Sequence, residues 1–401
     1  MLGALTRRRW VTVTALLTLL VGCTATPVTP SVTPTVVVAD WTQRGPITWL
    51  APQDPSGTLA ADIADWNASH PNAPVQPEWL PEATTDWDGA IQAAVTRSDR
   101  RPTLVSVPTS LVAALVAKSA IVPLEKNDVT AIGNEARVLF YRTDLVAGTV
   151  PASMGALSGT CGRLPSGTSC FGTAVARGEG LTALVLEALR SAGTDVTDAS
   201  GKDVLNVDQA TTGLAALAHL ASSGAIAVEG RAWTEADAGK AFADGQLAFY
   251  EGWSSEAPTF DRGTSKVVGR VGVFVLPGFA GAAVPMLRPL NVAVVSGGVD
   301  QGTGADFIAW LNDPGRQAAR AVSAGVGPVT ASVYAQGSVR LRPALVAVGA
   351  ELSTGRPLPS LVKYTDVSTA LQDAGRTVLD GGNPADAAAA LEARLKELLG
   401  R

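Results

Sequence analysis

From Ile47 onward the chain alternates short apolar runs with amphipathic helical stretches, and this order restricts the fold more than any other feature of the sequence. Ile47-Thr-Trp-Leu50 has the length of a buried strand. Ser56-Gly57 then leads into a stretch that places Leu59, Ile63 and Trp66 on one helical face. Val75 to Leu80 is a second strand, followed by a helix over Trp87 to Ala94. Thr103 to Val107 is a third strand, followed by a helix over Ser110 to Ser119. Strand–helix–strand–helix–strand predicts an α/β fold with a mainly parallel sheet covered by helices on both faces. Ligands of such sheets bind beyond the carboxyl ends of the strands. The turns after Leu50, Leu80 and Val107 are therefore candidate ligand loops.

The pattern continues in the second half. Helices are predicted over Asp208 to Ser222, carrying Leu214, Leu217 and Leu220, and over Ala236 to Ala243. Strands follow at Val271 to Leu276 and Asn291 to Ser296, then a helix over Ala305 to Leu311 stopped by Asn312-Asp-Pro314. Asn383-Pro384 opens a last helix as N-cap and first-turn proline, with Leu391, Leu395 and Leu398 on its buried face. A chain of 401 residues exceeds what one core accommodates and suits two lobes. No internal repeat is visible, which removes solenoids and propellers.

Ahead of this body lies an export signal. Arg7, Arg8 and Arg9 form a basic region, and Val11 to Val21 an apolar one too short to cross a hydrocarbon core, which takes about 20 helical residues. It runs into Leu20-Val21-Gly22-Cys23, which looks like a bacterial lipobox. Cleavage before Cys23 would leave a thiol to carry a lipid, and several acyl chains anchor stably where one does not. An ordinary secretory signal with an incidental cysteine is the other reading. Thr6-Arg7-Arg8-Arg9-Trp10 partly resembles a twin-arginine motif, so both export routes stay open. Residues 23–44, with Pro27, Pro30 and Pro34, are expected to form an extended tether.

The formal net charge of −5 and the lack of a basic run beyond the signal argue against nucleic acid as a partner. Beyond Cys23 the cysteines are Cys161 and Cys170, flanking a turn-rich loop. In an oxidising compartment a disulfide is expected. Two free buried thiols or a metal pair are the alternatives, and the metal pair lacks nearby histidines.

Several segments, in order, carry a family resemblance. Leu59-Ala-Ala-Asp-Ile-Ala-Asp-Trp-Asn-Ala-Ser-His-Pro71 resembles the first helix of sugar-type ABC-transporter solute-binding proteins. Pro77-Glu-Trp-Leu-Pro-Glu82 and Phe140-Tyr-Arg-Thr-Asp-Leu145 resemble an "eLPe" stretch and a "YYRkDL" hinge strand of the maltose/trehalose branch. Phe242 to Trp253, Val271 to Gly278, Gly327 to Tyr334 and Arg356-Pro-Leu-Pro359 are similar to four later elements. Three departures stand out. Pro123-Leu124 lies closer to Tyr141 than in relatives, Ser106-Val-Pro-Thr109 stands where the branch often has Asp-Val-Val-Trp, and Arg288-Pro289 replaces a Gly-Gly.

The resemblance implies a two-lobed periplasmic-binding-protein fold of the Venus-flytrap type, each lobe a mainly parallel sheet flanked by helices. The expected division is residues 45–140 with about 285–335, against about 141–284 with 336–401. It further implies an extracytoplasmic, lipid-anchored receptor of an ABC importer, monomeric and without cofactor, that captures a mono- or disaccharide for its permease subunits. Sugar recognition needs flat apolar rings and planar groups that bond paired hydroxyls. The motif matches nominate Trp253 as the stacking ring and Arg356 as a hydroxyl donor. Asp54 follows the first strand, Tyr141 lies at the expected first crossing between lobes, and Glu82 and Trp79 follow the second strand. Arg288 would favour an anionic ligand if it entered the cleft. Each has a plainer alternative: Asp54 could cap a helix, Arg356 could pair on the surface, and Tyr141 could pack at the hinge. Trp66 and Trp310 sit at core positions.

An enzyme is not expected. His70 ends a helix, His219 sits among Ala and Leu in a packed setting, and no nucleophile elbow, zincin or Walker motif is present. Gly178-Glu-Gly-Leu-Thr-Ala183 fits a dinucleotide pattern only loosely, and nothing nominates a carboxylate pair for glycoside cleavage. Two classes remain: the transport receptor, and a sensor or scaffold lipoprotein with a degenerate cleft, which the shortened segment after Leu124 favours.

Overall fold

The computed structural model describes residues 39–81, 86–146, 151–226 and 229–400. The signal, Cys23, most of the tether and Glu82 lie outside them. Among the described residues there are ten strands: β1 (Ile47–Ala51), β2 (Val75–Trp79), β3 (Leu104–Val107), β4 (Ile121–Val122), β5 (Thr130–Arg142), β6 (Ser169–Gly172), β7 (Leu247–Trp253), β8 (Val271–Val275), β9 (Met286–Val295) and β10 (Arg356–Pro357). They join in the order β2-β1-β3-β9-β5-β7-β6, with β4 and β10 on β9, and β8 on β5. The pairs β1–β2, β1–β3 and β6–β7 are parallel, as the helical crossovers between them require. The long strands β5 and β9 run antiparallel to each other and to β7 and β3.

One apolar core surrounds the first three strands. Successive side chains of a strand point to opposite faces, so Trp49 joins one cluster and Leu50 another. Helix Thr58–Ser69 lays Leu59, Ile63 and Trp66 onto the Trp49 face, where Phe307 contacts both tryptophans edge-on at 5.6 and 5.3 Å. Helix Trp87–Val95 covers the other face with Ile91, Ala94 and Val95. Trp310, at a core position, is only half-buried and carries the Arg316 guanidinium 3.2 Å from its ring centroid.

A second core gathers the helices Glu179–Ser191, Val207–Ser222, Tyr364–Leu379 and Pro384–Leu399 against β6 and β7. The Asn383 side chain caps the last helix by accepting from the Ala385 amide at 2.8 Å. Cys161 and Cys170 are joined by a disulfide. His219 is not packed: the periodicity that buries Leu214, Leu217 and Leu220 turns it outward, and it is exposed.

Among the described strands, only β5 and β9 contribute to both cores. On β5, Ile132 belongs to the first and Leu139 to the second. On β9, Met286 belongs to the second and Val292 to the first. The strands therefore change cores near residues 132–139 and 286–292, ahead of the crossing expected at Tyr141. The β5–β9 register shifts between Ala131 and Asn134. Between them, Gly133 approaches so closely that a Cβ would lie 2.4 Å from a Val326 methyl. Asn134 and Gly327 exchange two backbone hydrogen bonds of 2.7 Å beside it. The short segment after Leu124 is a tight turn in which Leu124 and Asn127 pair, so β4 passes almost directly into β5.

Candidate ligand site at the strand crossing

Where β5, β7 and β9 lie side by side, register places Arg137 opposite Trp253 and Glu135 opposite Arg288. The Arg288 guanidinium stacks over the Trp253 ring at 4.0 Å, and its Nε donates to Glu135 in a short ion pair. Arg288 is 39% exposed and Trp253 8%, so the arginine forms the solvent side of the stack. The Trp253 Nε1 donates to Glu235 Oε1 at 2.9 Å, and its backbone amide to Glu256 Oε1 at 2.8 Å. The Tyr250 hydroxyl donates to Glu256 Oε2 at 2.7 Å. Burial pushes the Glu256 carboxyl up to about 7, although the bonds from Tyr250 and Trp253 favour its charged form. These contacts fix the ring at the strand end.

Beneath the ring lies a closed ionic group. Arg137 sits 2.9 Å from Glu251 and 3.5 Å from Glu187, and donates to Thr173 Oγ1 at 2.8 Å and the Gly180 carbonyl at 3.2 Å. Burial pushes the Glu187 carboxyl well above the usual carboxylate range, against the pull of Arg137. The Met286 amide donates to Glu187 Oε1 at 2.8 Å, which ties β9 to helix Glu179–Ser191.

The walls carry acids. Glu179 opens its helix and keeps solvent access while accepting from the Tyr364 hydroxyl and, at 3.0 Å, the Ser368 hydroxyl. Glu235 opens helix Glu235–Ala243 and lies beside Gly180. From the first core, Asp88 acts electrostatically on Glu179 and Tyr364. Thr109 Oγ1 accepts from Asn291 Nδ2 at 3.1 Å, and the Ala113 amide donates to Ser360 Oγ at 3.0 Å. The Ala113–Ser360 bond thus joins elements of the two cores.

The structure brings Trp253 and Arg288 together and spreads the other nominated residues. Arg356 opens β10 opposite Met286, is 63% exposed, and lies 3.5 Å from Asp195. Met286 is two residues from Arg288, about 7 Å along the strand. The Tyr141 ring stacks on Phe274 at 4.1 Å. It sits six positions beyond Glu135 on β5, about 20 Å away. Asp54 accepts from the Ser56 amide and hydroxyl at 2.8 and 2.5 Å and the Leu59 amide at 2.8 Å, securing the start of the first helix. Trp79 ends β2 and is 43% exposed. Glu82 lies outside the described residues. Glu135, Glu179, Glu235 and Asp88 were not singled out from the sequence. Glu179 and Glu235 had one available signal, since each is an acid in the first turn of a helix following a loop.

With this geometry in place, comparison with known proteins is direct. Residues 63–347 match the family of bacterial extracellular solute-binding proteins. The chain belongs to that family. This solute-binding protein is also 28% identical over 285 residues to a probable ABC transporter-binding protein of Deinococcus radiodurans, covering 67% of this chain and 68% of that protein. Its fold is similar to that of maltose-bound MalE3 of T. maritima, with TM-score 0.75, 22% identity, and coverage of 88% of this chain and 100% of that one. It is equally similar in fold to the GacH receptor of Streptomyces glaucescens, solved unliganded and with acarbose (TM-score 0.77, 17% identity, 89% and 98% covered). A solute-binding protein of Thermotoga lettingae bound with α-D-tagatose gives TM-score 0.77 at 14% identity, covering 89% and 100%. Among the described residues, no helix is long and apolar enough to cross a membrane.

Proposed function

We propose that this protein is the extracytoplasmic receptor of an ABC importer and holds a small carbohydrate between its two lobes. One observation carries the reading: an aromatic ring is fixed where β5, β7 and β9 lie side by side, with an arginine and carboxylates around it. The ring holds the Arg288 guanidinium at the solvent side, where it can bond paired hydroxyls of a sugar, and the neighbouring carboxylates supply acceptors. The D. radiodurans relative supports an ABC transporter as partner, and the maltose, acarbose and tagatose complexes of fold neighbours support a carbohydrate ligand. Trp253, Arg288 and Glu235 form the floor of the site, with Arg356 as a rim group.

Binding and delivery follow from the two strands that, among the described residues, connect the sheets of the two cores. A ligand that touches both lobes shifts the protein toward its closed form, the form a permease would receive. Bends near Gly133 on β5 and Pro289 on β9 serve as the hinge. Cys23 is proposed as the lipid attachment that keeps the receptor at the membrane, and Cys23→Ser would release it from the membrane fraction.

The test is a thermal-shift panel of mono- and disaccharides and polyols. A ligand at a hundred times its dissociation constant stabilises the fold by about 2.7 kcal/mol. A shift in the wild type that disappears in Trp253→Ala supports the reading. A flat panel, or a shift unchanged in Trp253→Ala, overturns it.

A further inference from the structure

From β10 to the start of helix Tyr364–Leu379 the chain forms a strap that is fixed at both ends and reaches outward in the middle. At its start, the buried Arg190 guanidinium of helix Glu179–Ser191 donates to the Arg356 carbonyl at 3.2 Å and the Pro357 carbonyl at 3.0 Å. Its Nε is itself held by Asp195 at 2.8 Å. At the other end, the Tyr364 hydroxyl donates to Glu179, and the Lys363 ammonium to the Leu398 carbonyl at 2.8 Å. Between them Leu361 is buried in the second core, Leu358 packs against it, and Pro357 and Pro359 stiffen the backbone. All of these contacts mount the strap on the second core. Ser360 is exposed and engages the first: its Oγ accepts from the Ala113 amide at 3.0 Å. Ala113 lies on helix Thr109–Ala117, which buries Leu111 and Leu115 in the first core and is bonded through Thr109 to Asn291 on β9. The bond thus joins two rigid mounts, one on each core.

Resting on the two-lobed receptor proposed above, we infer that the strap is a closure latch, with Ser360 as a positioning residue that holds the lobes together without touching the ligand. A hydrogen bond between two rigid mounts is lost once they separate by more than a fraction of an ångström. It therefore belongs to the closed side of the hinge equilibrium, and removing it shifts the balance toward the open form. Ligand leaves from the open form, so release quickens. The factor is the same for every ligand, because the bond joins protein to protein. A single exposed hydrogen bond is worth about a two- to fivefold change in that equilibrium. A group in contact with ligand would instead alter one sugar more than another.

Hydrogen–deuterium exchange on the whole protein, alone and with excess maltose, tests this by comparing the wild type with Ser360→Ala and Ser360→Thr. In Ser360→Ala both sides of the bond, residues 109–117 and 358–363, should exchange faster, while helix Glu179–Ser191 stays as protected as in the wild type. Ser360→Thr keeps the hydroxyl and should behave like the wild type. Unchanged exchange over residues 109–117 in Ser360→Ala, with and without maltose, overturns the latch whether or not sugars bind. Stopped-flow release of maltose and of D-tagatose supplies a readout that a purely structural role would not move. Ser360→Ala should speed release of each by the same factor, about two- to fivefold, with the unfolding temperature unchanged. Factors that differ between the two sugars make Ser360 a ligand contact and also overturn the latch. If no sugar binds, the carbohydrate reading fails and the exchange result alone decides the latch.

Discussion

Arg137 and Arg288 flank the same indole ring from neighbouring strands, with guanidinium carbons 6.0 and 4.0 Å from its centroid. Their surroundings differ in every other respect. Arg137 is 2% exposed and has two carboxylates, a hydroxyl and a carbonyl as partners. Arg288 keeps one carboxylate partner and much of its surface in solvent. A charge without water must be fully paired to be tolerated, whereas one at a wet face can exchange partners. The lower arginine therefore belongs to the fold, and the upper one is the group that the proposed function assigns to the ligand.

The largest way to break this comparison is Arg137→Ala. It leaves Glu187 and Glu251 buried together without their cation, and chemical denaturation should show a loss of about 3–5 kcal/mol. Arg288→Ala leaves the buried Glu135 without its cation and should also cost stability, though less than Arg137→Ala because Arg288 itself is 39% exposed, and it should change sugar affinity measured by calorimetry. Equal stability losses would erase the distinction. A third expectation concerns Glu351, whose carboxyl accepts from the Leu276 amide at 2.7 Å and is pushed up to about 8 by burial. Its folded pKa exceeds the unfolded one, so the folded state holds more protons between about pH 4.3 and 8. Stability should fall as pH rises through that window, and Glu351→Gln should flatten the slope, measured by denaturation at several pH values. Glu256 adds the same sign of effect up to about pH 7. Tyr141→Ala removes the Phe274 stack, worth about 0.5–1.5 kcal/mol of stability, and should leave sugar affinity unchanged.

How much of this was legible in the sequence depends on the range of the cause. Leu59, Ile63 and Trp66 announced their helix because a buried face recurs every three or four residues. Asn383-Pro384 announced the last one because capping is decided within a single turn. Asp54 was legible in both its readings, and its local bonds secure a helix start. Trp253 and Arg288 were each nominated, but their stack depends on the pairing of β5 with both β7 and β9, which no local pattern encodes. Asp88, Glu179 and Glu235 come from three distant stretches and carry no shared spacing. The register shift between Ala131 and Asn134, beside the close approach of Gly133 to Val326, has no local signature either. Both are tertiary effects.

The account rests on Trp253 as the floor of a carbohydrate site, and calorimetric titration of a sugar into three proteins tests it most directly. With the sugar that most raises the unfolding temperature of the wild type, the account predicts binding by wild type and Tyr141→Ala and loss of at least tenfold in Trp253→Ala. Undiminished binding by Trp253→Ala would contradict it and place the ligand elsewhere.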